Sequence, residues 1–366
     1  METVNAFLKR KDIVFSARRY GVDALGAMAQ GLFCSLLIGT IVKTLGEQAG
    51  IAFLVDVGNF AAAMSGAAMA VAIGYALQAP PLALFSLATV GYAANALGST
   101  SLIPDQAGAG GPLAVLFIAI IAAEFGKAVS KETKIDILVT PLVTILVGVA
   151  LSAWWAPAIG TAATAVGNII MWATDLQPFL MGVIVSVVIG VALTLPISSA
   201  AICAAFGLTG LAGGAAVAGC CANMVGFAVL SFRENGWGGL VSQGLGTSML
   251  QMGNILKNPR VWLPAILTSA VTGPLATCVF RLEMNGPPVS AGMGTCGLVG
   301  QIGVWTGWIA PSEQALANGA AAITPGAFEW AGLILISFVL PAALCWAFGL
   351  WFRKIGWIKE GDLRLD

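Results

Sequence analysis

A group of hydroxyl and amide side chains occupies one glycine-rich stretch of this sequence. Its members are Ser242, Gln243, Thr247, Ser248, Gln251, Asn254 and Asn258. Each hydroxyl of a neutral polyol is both donor and acceptor, and serine, asparagine and glutamine side chains can satisfy either role. An ion pathway would instead favour carboxylates or rings of carbonyl groups. The stretch therefore predicts a site for a neutral polyhydroxylated solute; the alternative is a polar hairpin that satisfies only its own backbone.

Two further segments add candidates. Glu283 and Asn285 begin a break rich in proline and glycine just after Arg281. They are suited to bond a polyol, although an ion pair with Arg281 is a purely structural alternative. Ser198 follows Pro196 in another interrupted apolar segment. The predicted substrate-binding residues are Ser248, Gln251, Asn254, Asn258, Glu283, Asn285 and Ser198.

Ionisable residues inside apolar segments suggest a different chemistry. Charged groups within a membrane span are costly and usually face a bundle interior. Asp56 lies in an apolar stretch with Asn59, and Glu124 lies near Lys127 at the end of another. Asp56 and Glu124 together leave open an ion-coupled carrier, whereas contact of Glu124 with Lys127 at the interface is the preferred structural reading of that residue.

Catalytic signals are weak in this sequence. Histidine is absent, which removes the commonest general base, metal ligand and phosphohistidine. No Walker A motif is present, and the seven cysteines stand in apolar or Gly/Ala-rich surroundings without a Cys-x-x-Cys pair. Seventeen basic residues balance seventeen acidic ones, so no nucleic-acid partner is expected. We predict no catalytic residue, cofactor or metal site in the chain itself.

The elements that must position these side chains are membrane helices. Only 9% of the 366 residues are charged and 58% are hydrophobic, whereas soluble domains carry about a quarter charged residues. About 20 apolar residues cross a bilayer as a helix. The sequence therefore predicts an all-α integral membrane protein with about ten transmembrane helices, re-entrant hairpins and broken helices. The predicted spans are 25–43, 52–77, 80–99, 111–126, 136–157, 178–200, 207–230, 261–280, 289–310 and 327–352.

Three polar, glycine-rich segments are poor lipid-facing helices: 98–111, 237–259 and 283–303. Irregular backbone at membrane depth persists only where it is buried in protein or lines a wet cavity. Transporters use such breaks to build substrate sites. Residues 159–175 are a weaker apolar segment that could lie along the interface.

Basic residues set the predicted orientation. They are concentrated in residues 1–24, in the loop 127–134 and in the tail 353–366. Basic loops prefer the cytoplasmic side, and an even number of spans agrees with both termini being cytoplasmic. We expect one transmembrane domain over 1–366, multi-pass in a bacterial inner membrane.

Several motifs resemble one known family. They are Gly110-Gly111-Pro112 leading into Glu124-Phe125-Gly126-Lys127, residues 134–141 (KIDILVTP), Lys257-Asn258-Pro259-Arg260, the tail 353–362 (RKIGWIKEGD) and the run from Asn285 to Gly303. Together they resemble the membrane (IIC) component of bacterial phosphotransferase-system sugar transporters, in the type-two branch that includes the perfringolysin toxin regulator. Met249 occupies the position where fructose-type relatives carry an acidic residue.

The resemblance implies a homodimer in the lipid bilayer that binds sugar at mid-membrane in re-entrant hairpins. Separate IIA and IIB phosphocarrier proteins would phosphorylate the sugar, and no phospho-accepting residue is recognised in this chain. At most, then, the chain is the membrane part of a sugar phosphotransferase. The leading hypothesis is a transporter of a sugar or sugar-like polar solute, coupled or not to that phosphorylation. The alternatives are a membrane sensor or regulator that keeps the solute pocket without transport, and the ion-coupled carrier.

Overall fold

The computed structural model describes residues 4–96 and 110–365 and divides the chain into two compact units, Met1–Ala162 and Ala163–Asp366. Within the described residues the chain is helical apart from turns and one isolated β-bridge. This confirms the all-α membrane fold. In the described residues, six helices are long and apolar enough to cross a bilayer, or seven if one bent pair counts as a single span. The predicted total of ten is not confirmed.

Unit 1 begins with a short helix and a long one, α1 (Val4–Arg10) and α2 (Arg19–Ala49). The bent pair α3 (Ala52–Ala63) and α4 (Ser65–Ala76) follows, with a 48° bend between its two helices. The predicted span 52–77 is thus broken at Met64.

Three more helices complete unit 1. The helix α5 (Pro81–Ala96) accounts for the described part of the predicted span 80–99, and α6 is Gly111–Val129. The last is α7 (Asp136–Thr174), which continues past the unit boundary and absorbs the weaker segment 159–175. Most of the predicted broken segment 98–111 lies outside the described residues.

Small residues allow close helix crossings in unit 1. Gly66 on α4 faces Gly91 on α5, and a Cβ built at Gly91 would lie 2.1 Å from the Gly66 carbonyl oxygen. Glycine at such crossings lets membrane helices approach closely enough to gain van der Waals contact. Any side chain at Gly91 would force the two helices apart.

The two basic segments of unit 1 lie on the same side. The Lys11 ammonium group contacts the Ser130 carbonyl oxygen, and Arg10 pairs with Glu132 at 2.9 Å. The N-terminal segment and the loop after α6 therefore lie next to each other, and their cytoplasmic location stays a prediction.

Unit 2 is built around one buried helix. The helices of its first half are α8 (Pro178–Thr194), α9 (Ser199–Ala205), α10 (Gly210–Leu230) and α11 (Phe232–Val241). Those of its second half are α12 (Met252–Lys257), α13 (Pro259–Val279), α14 (Val299–Ile309), α15 (Glu313–Ala317) and α16 (Ala327–Lys354). Central α10 packs against α8, α13 and α16.

Two segments of unit 2 are not continuous helix. Between α11 and α12 the chain forms a π turn at Ser242–Gly246 and a 3₁₀ turn at Ser248–Gln251, so 237–259 is broken as expected. The predicted span 289–310 is wrong over its first half, because 3₁₀ turns at Pro288–Gly292 and Cys296–Leu298 precede α14, within the predicted broken segment 283–303, and Leu298 has a φ of +61°. A left-handed residue ends regular helix geometry, and α14 is only 11 residues long.

Candidate functional site

Five polar side chains meet in the interior of unit 2, and we call them the Asn223 cluster: Thr194, Asn223, Ser248, Trp262 and Ser269. The Asn223 Oδ1 atom accepts from Trp262 Nε1 at 3.0 Å and from Thr194 Oγ1 at 3.2 Å. Its Nδ2 group donates to Ser269 Oγ at 3.2 Å. The hydroxyls of Thr194 and Ser248 lie 2.8 Å apart. Apart from partly buried Trp262, every member is fully enclosed.

Breaks in regular structure place two of these hydroxyls together. Leu195, the residue after Thr194, is followed by Pro196. A proline disfavours the helical conformation of the residue before it, so Leu195 is extended and α8 ends at Thr194. Ser248 begins the 3₁₀ turn that Thr247 caps by accepting a hydrogen bond from Met249 N at 3.2 Å. The cluster therefore joins a helix end, a tight turn and the middle of α10.

Three amides form a second polar feature, the amide ladder: Gln243, Gln251 and Asn254. Asn254 Nδ2 donates to Gln251 Oε1 at 2.8 Å, and Gln251 Nε2 donates to Gln243 Oε1 at 2.8 Å. Gln243 Nε2 donates onward to Ser231 Oγ at 2.8 Å. All three amides are buried, and such connected chains polarise one another.

The C-terminal segment 357–365 lies against this ladder. Gln251 Nε2 also donates to the Leu363 carbonyl at 3.0 Å, and Asn254 Nδ2 to the Arg364 carbonyl at 2.9 Å. Leu363 is itself fully buried. The chain's own backbone thus occupies donors that the sequence assigned to solute.

Two flanking asparagines hold the same segment. Asn235 donates to the Leu363 carbonyl at 2.8 Å and accepts from Leu365 N at 2.8 Å. Asn258 Nδ2 donates to the Trp357 carbonyl at 3.0 Å and to Asp362 Oδ2 at 2.8 Å. The segment is therefore fixed at both ends as well as at the ladder.

The remaining predicted residues lie elsewhere in unit 2. Asn285 Oδ1 accepts from Gly210 N at 3.1 Å, and its Nδ2 donates to exposed Glu283 at 2.9 Å. No ion pair joins Arg281 to Glu283 in the described part of the chain. Ser198 caps α9 by accepting a hydrogen bond from Ala201 N at 3.2 Å.

The length of α10 separates these groups. Asn285 bonds the first residue of α10, whereas Gln243 bonds Ser231, the residue just after the helix. A helix of 21 residues is about 30 Å long at about 1.5 Å per residue. The structure therefore places Ser248 in the Asn223 cluster. It places Gln251, Asn254 and Asn258 against the C-terminal segment. The seven predicted substrate-binding residues do not form one site in this structure. Their role in binding stays a prediction.

Charged residues form a separate group in unit 1, the charged cluster: Asp12, Arg19, Glu124 and Lys127. Buried Lys127 donates to the Leu77 carbonyl at 2.9 Å and lies 3.3 Å from Glu124 and 3.4 Å from Asp12. The Arg19 guanidinium, bonded to the Asp12 carboxylate, lowers the pKa of Asp12, and the charge of Lys127 contributes in the same direction.

The two carboxylates of the ion-coupled alternative differ in surroundings. Glu124 is paired with Lys127 and also accepts from Tyr20 Oη at 3.0 Å, as the structural interpretation expects. Asp56 is exposed on α3. Among the described residues, no three His, Cys, Asp or Glu side chains form a group that could hold a metal ion.

Sequence reasoning missed most of the Asn223 cluster. Asn223 is an amide inside an otherwise apolar helix, and interhelical hydrogen bonds in membranes commonly use such residues, so its position was a usable signal. Thr194, Ser269 and Trp262 carry no local signal, because each lies in an ordinary apolar or helix-end context.

The comparisons with known proteins concern almost the whole chain. Residues 22–365 match the family model described as Phosphotransferase system, EIIC. No curated protein and no solved structure matches the chain.

Proposed function

The chain belongs to the phosphotransferase-system EIIC family and is the membrane component of such a transporter; we propose that its cargo is a sugar or sugar-like polar solute bound in unit 2. In this proposal the Asn223 cluster supplies the first contacts, through the hydroxyls of Thr194 and Ser248 and the Asn223 amide. The protein works as a homodimer in the bacterial inner membrane with both termini cytoplasmic.

The chemistry of the cluster is the observation that carries the proposal. Its groups are three hydroxyls, one amide and one indole N–H, and all their bonds given above are to neutral partners. A hydroxyl can donate or accept, so it can exchange a protein partner for a solute hydroxyl without burying an unpaired atom. A neutral polyhydroxylated solute fits these requirements better than an ion does.

The 3₁₀ turn Ser248–Gln251 links the cluster to the amide ladder. Ser248 begins this turn in the cluster, and Gln251 ends it in the ladder. We extend the proposed site to Gln251, Asn254 and Asn258, which bind solute hydroxyls when these replace the carbonyls of the C-terminal segment. Glu283, Asn285 and Ser198 remain outlying candidates that a different conformation would have to bring closer.

Phosphorylation enters through partner proteins. Separate IIA and IIB phosphocarriers would transfer the phosphoryl group, while residues of this chain bind and orient the solute. The family relationship supports this division of work.

A binding screen with paired variants tests the proposal. Purified full-length protein is screened by thermal shift against sugars, polyols and sugar acids, and any stabilising compound is then titrated. Thr194→Val should weaken the binding of that compound at least about fivefold, since losing one well-placed hydrogen bond costs about 1 kcal/mol or more. Thr268→Val is the matched control, because Thr268 is equally buried and its hydroxyl donates within α13 to the Pro264 carbonyl.

Two results would contradict the assignment. Equal affinities of both variants would remove the Asn223 cluster from the site. Binding without uptake into proteoliposomes, even with phosphocarrier partners added, would favour the sensor over the transporter.

A further inference from the structure

A groove opens at one end of unit 2, where the C-terminal ends of α10 and α16 meet α11. We call it the interfacial groove. Its volume is about 310 Å³. The residues that line it include Phe232, Arg233, Trp237, Trp346, Leu350 and Arg353. Aromatic and aliphatic side chains form most of its walls, and the two arginines are its cationic groups.

The residues around the groove are of the types expected where a membrane protein meets lipid headgroups. The helix α16 has the length and hydropathy of a membrane span, and its last turn carries Arg353 and Lys354. Trp237 is 74% exposed and Trp346 is 53% exposed. Exposed tryptophans and basic residues at the end of a span are typical of the membrane–water interface.

The two arginines have different electrostatic roles. Arg353 pairs with Glu234 at 2.7 Å and donates to the Leu230 carbonyl at 3.2 Å, so its charge is matched within the protein. Arg233 is exposed, and in the part of the chain that the structure describes it has no ion pair or side-chain hydrogen bond. The groove therefore combines an apolar wall with an unmatched guanidinium at its edge.

We propose that the interfacial groove is a binding site for an anionic phospholipid. One acyl chain lies along Trp237, Trp346 and Leu350, and the headgroup phosphate pairs with Arg233. Guanidinium groups bind phosphate through two parallel hydrogen bonds, and basic pockets beside membrane helices recognise anionic headgroups. Inorganic phosphate alone would leave the aromatic wall uncovered, and a zwitterionic lipid would bring an ammonium group near Arg233.

The inference does not depend on the proposed transport function. Its residues are separate from the Asn223 cluster and from the amide ladder. Failure of the solute assignment would leave the groove unaffected, and the reverse also holds.

The test compares two lipids with identical acyl chains. Full-length protein in mild detergent is titrated with phosphatidylglycerol or phosphatidylcholine, and bound lipid is counted by native mass spectrometry. We expect phosphatidylglycerol to bind at least about fivefold more tightly, and Arg233→Gln to abolish that preference. Trp346→Ala should weaken both lipids about equally, because it removes acyl contact rather than charge.

Lys354→Gln is the matched charge control, since Lys354 is exposed at the end of α16 but does not line the groove. It should retain the lipid preference. An equal loss in Arg233→Gln and Lys354→Gln would mean general surface attraction and would overturn the site. Competition by millimolar inorganic phosphate as strong as that of the lipid would also overturn it, since the site would then be a simple anion site.

Discussion

The main polar clusters of the two units differ in charge. Unit 1 encloses the charged cluster, in which the Lys127 ammonium group contacts Asp12, Glu124 and a backbone carbonyl. Unit 2 encloses the Asn223 cluster and the amide ladder, whose groups are neutral. A buried charge is tolerable only with fixed partners, whereas neutral hydroxyls and amides can exchange one partner for another. The difference suggests that unit 1 uses its polar groups to hold structure and unit 2 to bind.

The largest expected effect is on the charged cluster. Lys127→Met leaves Glu124 without its cation in a buried place, and breaking such a pair costs about 3–5 kcal/mol. We expect a strong fall in the midpoint of thermal unfolding in detergent. Lys43→Met is the control, because Lys43 is 42% exposed and lies 3.9 Å from Glu47. A Lys127 variant as stable as this control would contradict a structural role for the cluster.

The centre of the neutral cluster should respond differently. Asn223→Leu removes the shared partner of Thr194, Ser269 and Trp262, and unsatisfied buried groups cost about 1–3 kcal/mol. We expect a moderate loss of thermal stability together with complete loss of solute binding in the thermal-shift titration.

An asparagine in unit 1 provides the comparison for this change. Among the described residues, the Asn95 side chain makes one long hydrogen bond, to Ser65 Oγ at 3.4 Å. Asn95→Leu should leave solute affinity unchanged. If both variants keep the solute-induced shift, the contrast between the units does not concern binding.

A smaller effect is expected in the ladder. Gln251→Ala removes donors to Gln243 and to the Leu363 carbonyl, at about 1 kcal/mol of net stability per hydrogen bond. The protein should stay folded while the solute-induced shift in melting temperature disappears. Gln314→Ala, at an exposed position of α15, is the matched change. A shift that persists in Gln251→Ala would exclude the amide ladder from the site.

Spans were the most predictable part of this molecule. The predicted 111–126 and 207–230 lie close to the observed Gly111–Val129 and Gly210–Leu230, because length and hydropathy are sufficient to identify a crossing helix. The predicted span 289–310 overlaps the predicted broken segment 283–303, since a glycine-rich apolar segment has the same composition whether its helix is continuous or broken.

The site was harder to predict because its contacts are distant in sequence. Gln251 bonds a carbonyl 112 positions away, and Asn223 meets Ser269 across 46 positions. Neither pairing leaves a periodic pattern in the chain. Ser248 and Gln251 were identified from residue type alone, and type does not specify whether an amide contacts solute or the chain's own backbone.

The smallest expected effect concerns Asp12 at the edge of the charged cluster. The hydrogen bond from Arg19 is the main cause that lowers the pKa of Asp12 in the folded protein. The Asp12 carboxylate therefore stabilises the fold at pH values above its ordinary pKa of 3.8, and this stabilisation is lost as the pH falls through the lowered pKa. Its side chain is 52% exposed, so solvent screening should limit the contribution to less than about 1 kcal/mol. Melting temperatures of wild type and Asp12→Asn should therefore differ slightly at pH 7 and converge as the pH is lowered below 3.8. A difference that grows as pH falls would mean that Asp12 is more easily protonated in the folded state than in the unfolded one, and the pairing with Arg19 would then not be a stabilising contact.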